Sequence, residues 1–279
     1  MDKVCAGIVT YNPDLEQFSQ CLNSIIKQVN KIYLFDNGSN NVDFICNLLR
    51  NIEDITVFCN KENVGIARAL NELCKMAYKD GYTWIVTMDQ DSICADNMLS
   101  ILRKYTRKKN LGIIAPRIEF RDNGKLIHET RNKAKEVEEI RACITSGSLT
   151  RIDAWKKLGG FDEWMFIDHV DNEFCTHLYV EGYSIIRVNS AVLYQRAGEM
   201  KYLSLPRGKK ILLPYYSEIR NYYICRNTMY YLRKYKKYIN YRYEIMTFIY
   251  SQVIKVLFEK NRWGSIKSTV KGIKDGVNI

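Results

Sequence analysis

No two cysteines in this sequence are close enough to act as a pair. Nine occur in 279 residues, and the nearest two, Cys46 and Cys59, stand thirteen apart. That spacing excludes a CxxC redox motif and a paired-cysteine zinc site. Most lie in apolar runs, among them Cys5, Cys21, Cys74 and Cys143, where a free thiol serves as a small core residue. The expected compartment is a reducing cytoplasm. The opening MDKVCAGIVTYNP holds no basic region, long apolar stretch or cleavage site of a secretory leader, so none is expected. The most apolar stretch, residues 245–258, is interrupted by Ser251, Gln252 and Lys255 and falls short of the roughly 20 residues that span a bilayer. Phosphate loops are missing too. No GxGxxG follows the first apolar run and no GxxxxGK[ST] occurs anywhere, which disfavours a Rossmann dinucleotide site and a P-loop.

What is present is a core and an uneven charge. At 47% hydrophobic residues the chain can bury one large domain, or a domain with an appendage. The net charge of +11 gathers at one end: residues 201–279 hold 17 Lys and Arg against 4 Asp and Glu, leaving 25 against 27 for residues 1–200. The same end holds 12 of the 20 tyrosines. Basic residues interleaved with aromatics suit an anionic membrane surface or stacked nucleic-acid bases, and equally a solvated helical face.

Periodicity divides the first ninety residues into alternating elements. KVCAGIVT, KIYLFD, DITVFCN and YTWIVTMD are short apolar strands. Between them Leu15, Phe18, Leu22, Ile25 and Val29 share one helical face, VDFICNLLR is a second helix, and Ala67, Leu70, Cys74 and Ala77 are in register on a third. Strands separated by such helices imply βαβ units and a parallel sheet covered on both faces. Ligands bind at the carboxyl ends of such strands. Polar residues collect there: Thr10, Tyr11 and Asn12 after the first strand, Asp36, Asn37 and Ser39 after the second, Asn60 and Asn63 after the third, Asp89 and Asp91 after the fourth. Two carboxylates one residue apart at a strand end suit a divalent cation that also holds substrate phosphates; a solvated turn is the plainer explanation of such a triplet.

The ordered set TYNP (10–13), DNGS (36–39), NVGIARALN (63–71) and DQD (89–91) resembles family-2 inverting glycosyltransferases of the GT-A fold. TSGSLTR (145–151), GGFDE (159–163) and FIDHVDNEF (166–174) extend the likeness, and IRNYYICRN (219–227) is similar to bacterial rhamnosyltransferases of surface polysaccharide synthesis. The resemblance implies an α/β fold: a GT-A type, Rossmann-like, mostly parallel sheet flanked by helices, with a C-terminal helical basic appendage. It implies a catalytic domain over residues 1–200, nucleotide-binding in 1–95 and acceptor-binding in 96–200, followed by the basic, tyrosine-rich region 201–279.

It also implies roles. Thr10, Tyr11, Asn12, Asp36, Asn63, Gly65 and Arg68 would surround the base and ribose, with Asp36 accepting from a pyrimidine imide; Asn63 also reads as a helix N-cap, and Asn71 as structural. Asp91, with Asp89, would hold Mg²⁺ or Mn²⁺ against the leaving diphosphate. Asp171 aligns with the catalytic base, with Asp168 next in line. Gln195 stands where many relatives carry a histidine ligand and would offer the metal its weaker, neutral carbonyl oxygen, so Arg196 or Arg220 would help neutralise the diphosphate. Ser146 and Gly147 fall on the acceptor side. A rival reading makes His169, Glu173 and His177 metal ligands on one helical face.

The expected reaction moves a sugar, rhamnose from dTDP-rhamnose, to a hydroxyl of a lipid-linked saccharide acceptor. The alternative donor is a UDP-sugar, serving a galactofuranosyl- or hexosyltransferase. The expected location is cytoplasmic, peripheral on the inner face of the membrane, held there through the basic region. Residues 245–258 would lie in the interface, pack on the catalytic domain or form a homo-oligomer contact. A nucleic-acid-binding protein using the basic tail is the alternative of another class.

Overall fold

The computed structural model describes residues 2–50, 52–122, 125–128, 135–196, 200–204, 210–214, 216–258 and 261–279, apart from the side chains of 122, 125–128, 200–204, 210–214 and 258. The chain forms two compact units, Met1–Trp164 with Val170–Arg196, and Met165–His169 with Ala197–Ile279.

The first unit opens with strands β1 (Val4–Thr10), β2 (Ile32–Asp36), β3 (Ile55–Cys59) and β4 (Trp84–Asp89), alternating with helices α1 (Leu15–Ile26), α2 (Val42–Leu49) and α3 (Ile66–Lys79). The four strands lie parallel in the order β3-β2-β1-β4. Every residue of β1 and β2 is buried, which is why both read as unbroken apolar runs. Val4, Ala6 and Ile8 of β1 join Phe18, Leu22 and Ile25 of α1 and Ile45 and Leu49 of α2 in one core. The alternate residues face α3, where Leu73 packs against Gly7.

Asp14 caps α1, its carboxylate accepting from the Gln17 N–H at 3.0 Å. The helix stops at Ile26, one turn before Val29, which reaches the same core from the following turn. Strand β3 is the outer edge and largely exposed, although its sequence is as apolar as the buried strands; Phe58 stacks on Phe35 with ring centroids 5.2 Å apart.

Beyond β4 come β5 (Ile93–Cys94), α4 (Met98–Leu102), a short 3₁₀ turn, β6 (Leu111–Asp122), β7 (Lys125–His128), β8 (Val137–Ile140), β9 (Leu149–Arg151), α5 (Ile152–Lys157), α6 (Val170–Val180) and β10 (Ser184–Arg196). The sheet continues as β4-β9-β6-β10-β5, with β7 on β6 and β8 on β10. The three-residue β9 runs antiparallel between β4 and β6, so the sheet is parallel in its first half and mixed beyond.

The second unit holds a hairpin of β11 (Met200–Ser204) and β12 (Lys210–Pro214), which the helical expectation for this region did not include, then α7 (Glu218–Lys234), α8 (Tyr241–Phe258) and α9 (Arg262–Val277). α9 packs on α7 through small residues, Ser265, Ser268, Gly272 and Gly276. A Cβ on Gly272 would come within 2.5 Å of the Tyr222 carbonyl oxygen, so only glycine permits this approach. Asn221 of α7 donates to Ser268 Oγ at 2.8 Å and Thr269 Oγ1 at 2.9 Å. Among the described residues no helix is long and apolar enough to cross a membrane.

Candidate active site

From β1 the chain moves outward to β2 and β3, then returns to place β4 on the other side of β1. The carboxyl ends of β1 and β4 therefore flank the topological switch point, where ligands of such sheets bind. Gln90 bridges it. Its Oε1 accepts from the Tyr11 N–H at 2.8 Å, and its Nε2 donates to the Tyr11 carbonyl at 3.3 Å. The sequence reading gave Gln90 no role; its place between two aspartates is the signal, since neighbouring positions on an extended chain point opposite ways.

The loops after β1 and β2 are knitted together. Asn12 takes a left-handed backbone (φ 45°), its N–H donating to Ser39 Oγ at 2.8 Å and its Oδ1 accepting from the Asn40 N–H at 2.7 Å. Asp36 is wholly buried, accepting from Thr10 Oγ1 at 3.0 Å, the Ser39 N–H at 2.9 Å and the Ser39 hydroxyl. Thr10 and Asp36 thus lie beneath the rim and hold its shape, while Tyr11 stands exposed upon it. Gly38 (φ +83°) makes the turn possible, because a Cβ there would meet the Glu62 backbone at 2.6 Å.

Asn37 reaches across to the third loop, donating to Asn63 Oδ1 at 3.0 Å and accepting from the Val64 N–H at 2.9 Å. Asn63 is not the helix N-cap. Gly65 (φ 84°) holds that position with no side-chain cap, and Asn63 Oδ1 accepts the Gly65 N–H at 2.9 Å. Arg68 is exposed on the first turn of α3.

The acidic end of β4 is supported from below by residues 145–148. Ser146 is buried; its Oγ accepts from the Asp89 N–H at 3.0 Å and donates to Ser92 Oγ at 2.9 Å. Gly147 (φ +74°) donates its N–H to the Thr87 carbonyl at 2.7 Å. Both residues, expected beside an acceptor, position the aspartate turn.

Pairing of β5 with β10 carries Gln195 alongside, and its Nε2 donates to Asp89 Oδ2 at 3.3 Å. The amide nitrogen, not the carbonyl expected as a metal ligand, faces the carboxylate. Burial first, then the charges of Asp91 and Asp171, push the Asp89 carboxyl up to about 7. Burial also raises Asp91, opposed by its own backbone hydrogen bond and by Arg196. Asp171 lies in the first turn of α6, where the helix N-terminus favours a carboxylate, and its Oδ1 accepts from the Asn172 N–H at 2.8 Å.

Asp89 feels the charges of both Asp91 and Asp171, a concentration of negative charge that a divalent cation would offset. Among the described residues no three or more His, Cys, Asp or Glu side chains form a metal cage. The donor set fits an ion such as Mg²⁺, which binds through one or two carboxylates and takes its remaining oxygens from water and substrate phosphates.

In the second unit Asp168 and His169 both adopt left-handed backbones (φ 65° and 63°). Asp168 is gripped by Arg220, and Asn227 of α7 donates to the carbonyls of Ile167 at 2.8 Å and Asp168 at 2.9 Å. His169 is buried, its Nε2 paired with Thr228 Oγ1 at 2.8 Å. Helix α6 begins only at Val170, so His169, Glu173 and His177 do not share one helical face, and the rival metal site falls.

Residues 5–162, more than half of the chain, match the family Glycosyl transferase family 2. The dTDP-rhamnosyl transferase RfbF of Shigella flexneri is 26% identical over 98% of this chain and 95% of its own. Among solved structures, S. aureus TarS 1-349 in complex with UDP-GlcNAc superposes with a TM-score of 0.63 at 16% identity, covering 99% of this chain and 79% of that one. GalNAc-T7 with UDP, GalNAc and Mn²⁺ gives 0.60 at 15%, covering 86% of this chain, which spans about half (52%) of that one. These two likenesses establish the fold. The family match, on a GT-A sheet with its polar rim at the β1/β4 switch point, establishes more: the chain belongs to glycosyl transferase family 2 and is a glycosyltransferase that uses a nucleotide-sugar donor.

Proposed function

We propose that this enzyme moves rhamnose from dTDP-rhamnose, with inversion at the anomeric carbon, to a hydroxyl of a lipid-linked saccharide in surface polysaccharide assembly. The observation that carries the mechanism is the Asp89 carboxyl at the end of β4, which burial first, and then the charges of Asp91 and Asp171, push up to about 7. The likeness to a dTDP-rhamnosyl transferase supports the choice of donor.

On this reading residues 1–95 hold the nucleotide and 96–200 the acceptor. Tyr11, Asn63, Gly65 and Arg68 form the walls of the nucleotide site on a frame kept rigid by Thr10, Asn12 and Asp36. Asp91 and Asp89 would hold Mg²⁺ or Mn²⁺, which would supply positive charge against the leaving diphosphate. Asp171 takes the proton of the acceptor hydroxyl as its oxygen attacks the anomeric carbon; the bond to the diphosphate breaks on the opposite face and dTDP departs. Gln195 orients Asp89 through its amide. The basic C-terminal region meets the membrane surface on which the acceptor is carried, on the inner face.

A thermal-shift panel of dTDP-rhamnose, UDP-galactofuranose and UDP-hexoses, with and without Mg²⁺ or Mn²⁺, tests the donor, since a ligand bound to the native state alone raises the melting temperature. The expected result is a metal-dependent rise with dTDP-rhamnose. A rise with a UDP-sugar instead would transfer the assignment to a galactofuranosyl- or hexosyltransferase.

A further inference from the structure

The second unit turns apolar residues outward at regular spacing. Along α8, Tyr243, Met246, Tyr250, Val253 and Leu257 recur at i, i+3, i+7, i+10 and i+14, each between 51% and 69% exposed. On α9, Trp263, Val270 and Val277 recur every seven residues, and Trp263 is 82% exposed. The inner face of α9 is the small-residue face that packs on α7, so these three contribute nothing to that packing. At 100° per residue, Arg242 falls beside the α8 stripe, and Lys267 and Lys274 fall beside the α9 stripe. All three are exposed.

A bilayer and a second copy of the chain both cover such faces, and charge distinguishes them. Residues 201–279 carry 17 basic against 4 acidic residues. Two of those acids are already engaged, Glu218 by Asn261 Nδ2 and Asp275 by the Tyr222 hydroxyl. A second copy would bring like charge against like, whereas anionic headgroups answer it. The residue types agree, since tryptophan and tyrosine sit at headgroup level and lysine and arginine extend their charges outward past an apolar face.

We propose that the outer faces of α8 and α9 are the surface by which this enzyme lies on an anionic lipid layer, with Trp263, Tyr243 and Tyr250 in the headgroup zone. The proposal deepens the membrane reading above and rests on it: charge alone would hold the protein near a membrane, but these faces enter it.

Flotation of the full chain with vesicles of phosphatidylcholine, alone or with one third phosphatidylglycerol, tests it. The wild-type protein should float only with the anionic vesicles. Tyr250→Ser/Val253→Ser/Leu257→Ser and, separately, Trp263→Ser should each lower partitioning about tenfold. Melting temperatures should be unchanged, because these side chains are exposed. Tryptophan emission should shift to the blue on binding, and Trp263→Phe should lose that shift. Unchanged flotation of both face variants would overturn the proposal while leaving charge-driven membrane binding intact. No flotation of the wild type would overturn both. A wild-type dimer that the α8 variant converts to monomer would assign the face to a second copy instead.

Discussion

Arg220 grips Asp168 through two nitrogens, Nη2 reaching Oδ1 at 3.0 Å and Nε reaching Oδ2 at 3.1 Å. One of these residues was the reserve candidate for the base and the other a candidate for neutralising the diphosphate, and in the structure each has the other as its partner. A carboxylate whose two oxygens are both held by a guanidinium is a weaker base than a free one. Asp168→Ala and Arg220→Ala should therefore show coupled stability losses. The coupling in a double-mutant cycle should be about 1 kcal/mol, because Arg220 remains 46% exposed. Additive losses from denaturant melts would show that the pair contributes nothing together.

Asp171→Asn tests the proposed base, because it removes the carboxylate while keeping the shape of the side chain. Turnover should fall about 10²- to 10⁴-fold, with the donor-induced thermal shift retained. Asp168→Asn should cost far less. Comparable losses in the two variants would move the base to Asp168 or to neither.

The Asp89 carboxyl has a folded pKa of about 7 against an ordinary value of 3.8. Because the folded value is the higher, the ion-free protein keeps this contribution to stability below the ordinary value and loses it as pH rises through about 7. A cation that binds the ionised form removes that loss. The melting-temperature gain from saturating Mn²⁺ should thus be several degrees larger near pH 8 than near pH 6, an ordering set by this single linkage. Equal gains at both values would mean that Asp89 does not titrate with the ion.

The parts of this molecule that sequence reveals are those where burial imposes a pattern. β1, β2 and β4 are covered on both faces, so their residues are mostly apolar, with Thr87 of β4 buried among them, and the polar rim begins where each run ends. Strand β9 is invisible by the same logic, because three residues carry no period. The Arg220 and Asp168 pair spans 52 positions, and the left-handed backbones of Asp168 and His169 have no glycine to announce them. Ser146 and Gly147 were legible as special but their contacts were not, since a buried hydroxyl that supports a turn has the same letters as one that meets a substrate. The outward apolar stripe of α8 raised the hydrophobicity of residues 245–258 without telling which side of the helix was free.

Gln90 ties the two sides of the switch point through both ends of its amide. Gln90→Ala should loosen Tyr11 and weaken nucleotide-sugar binding, raising the donor KM about tenfold, the equivalent of one such hydrogen bond or two, with little change in kcat. Gln90→Glu keeps the acceptor for the Tyr11 N–H but loses the donor and adds a fourth carboxylate, so it should be worse than alanine. An unchanged KM in both variants would show that the bridge does not contribute to donor binding.

Asn71 is buried and fully satisfied. Its Nδ2 donates to the Phe161 carbonyl and to Glu163 Oε1, both at 2.9 Å, while its Oδ1 accepts from Trp155 Nε1 at 2.9 Å and the Phe161 N–H at 2.8 Å. One side chain thereby fastens α3 to α5 and to the 159–163 loop, where Gly160 (φ +95°) leaves room for it. Alanine at this position would leave the Trp155 and Phe161 donors unpaired in a dry environment, at a cost of about 3 kcal/mol. For a chain of this size that corresponds to a melting temperature lower by about 5–10 °C. Aspartate should be worse than alanine near neutral pH, because it replaces the donating nitrogen with an oxygen that faces Glu163 and the Phe161 carbonyl. Calorimetry of Asn71→Ala and Asn71→Asp checks both the size and the order; an alanine variant melting with the wild type would show that water replaces the lost partners without penalty.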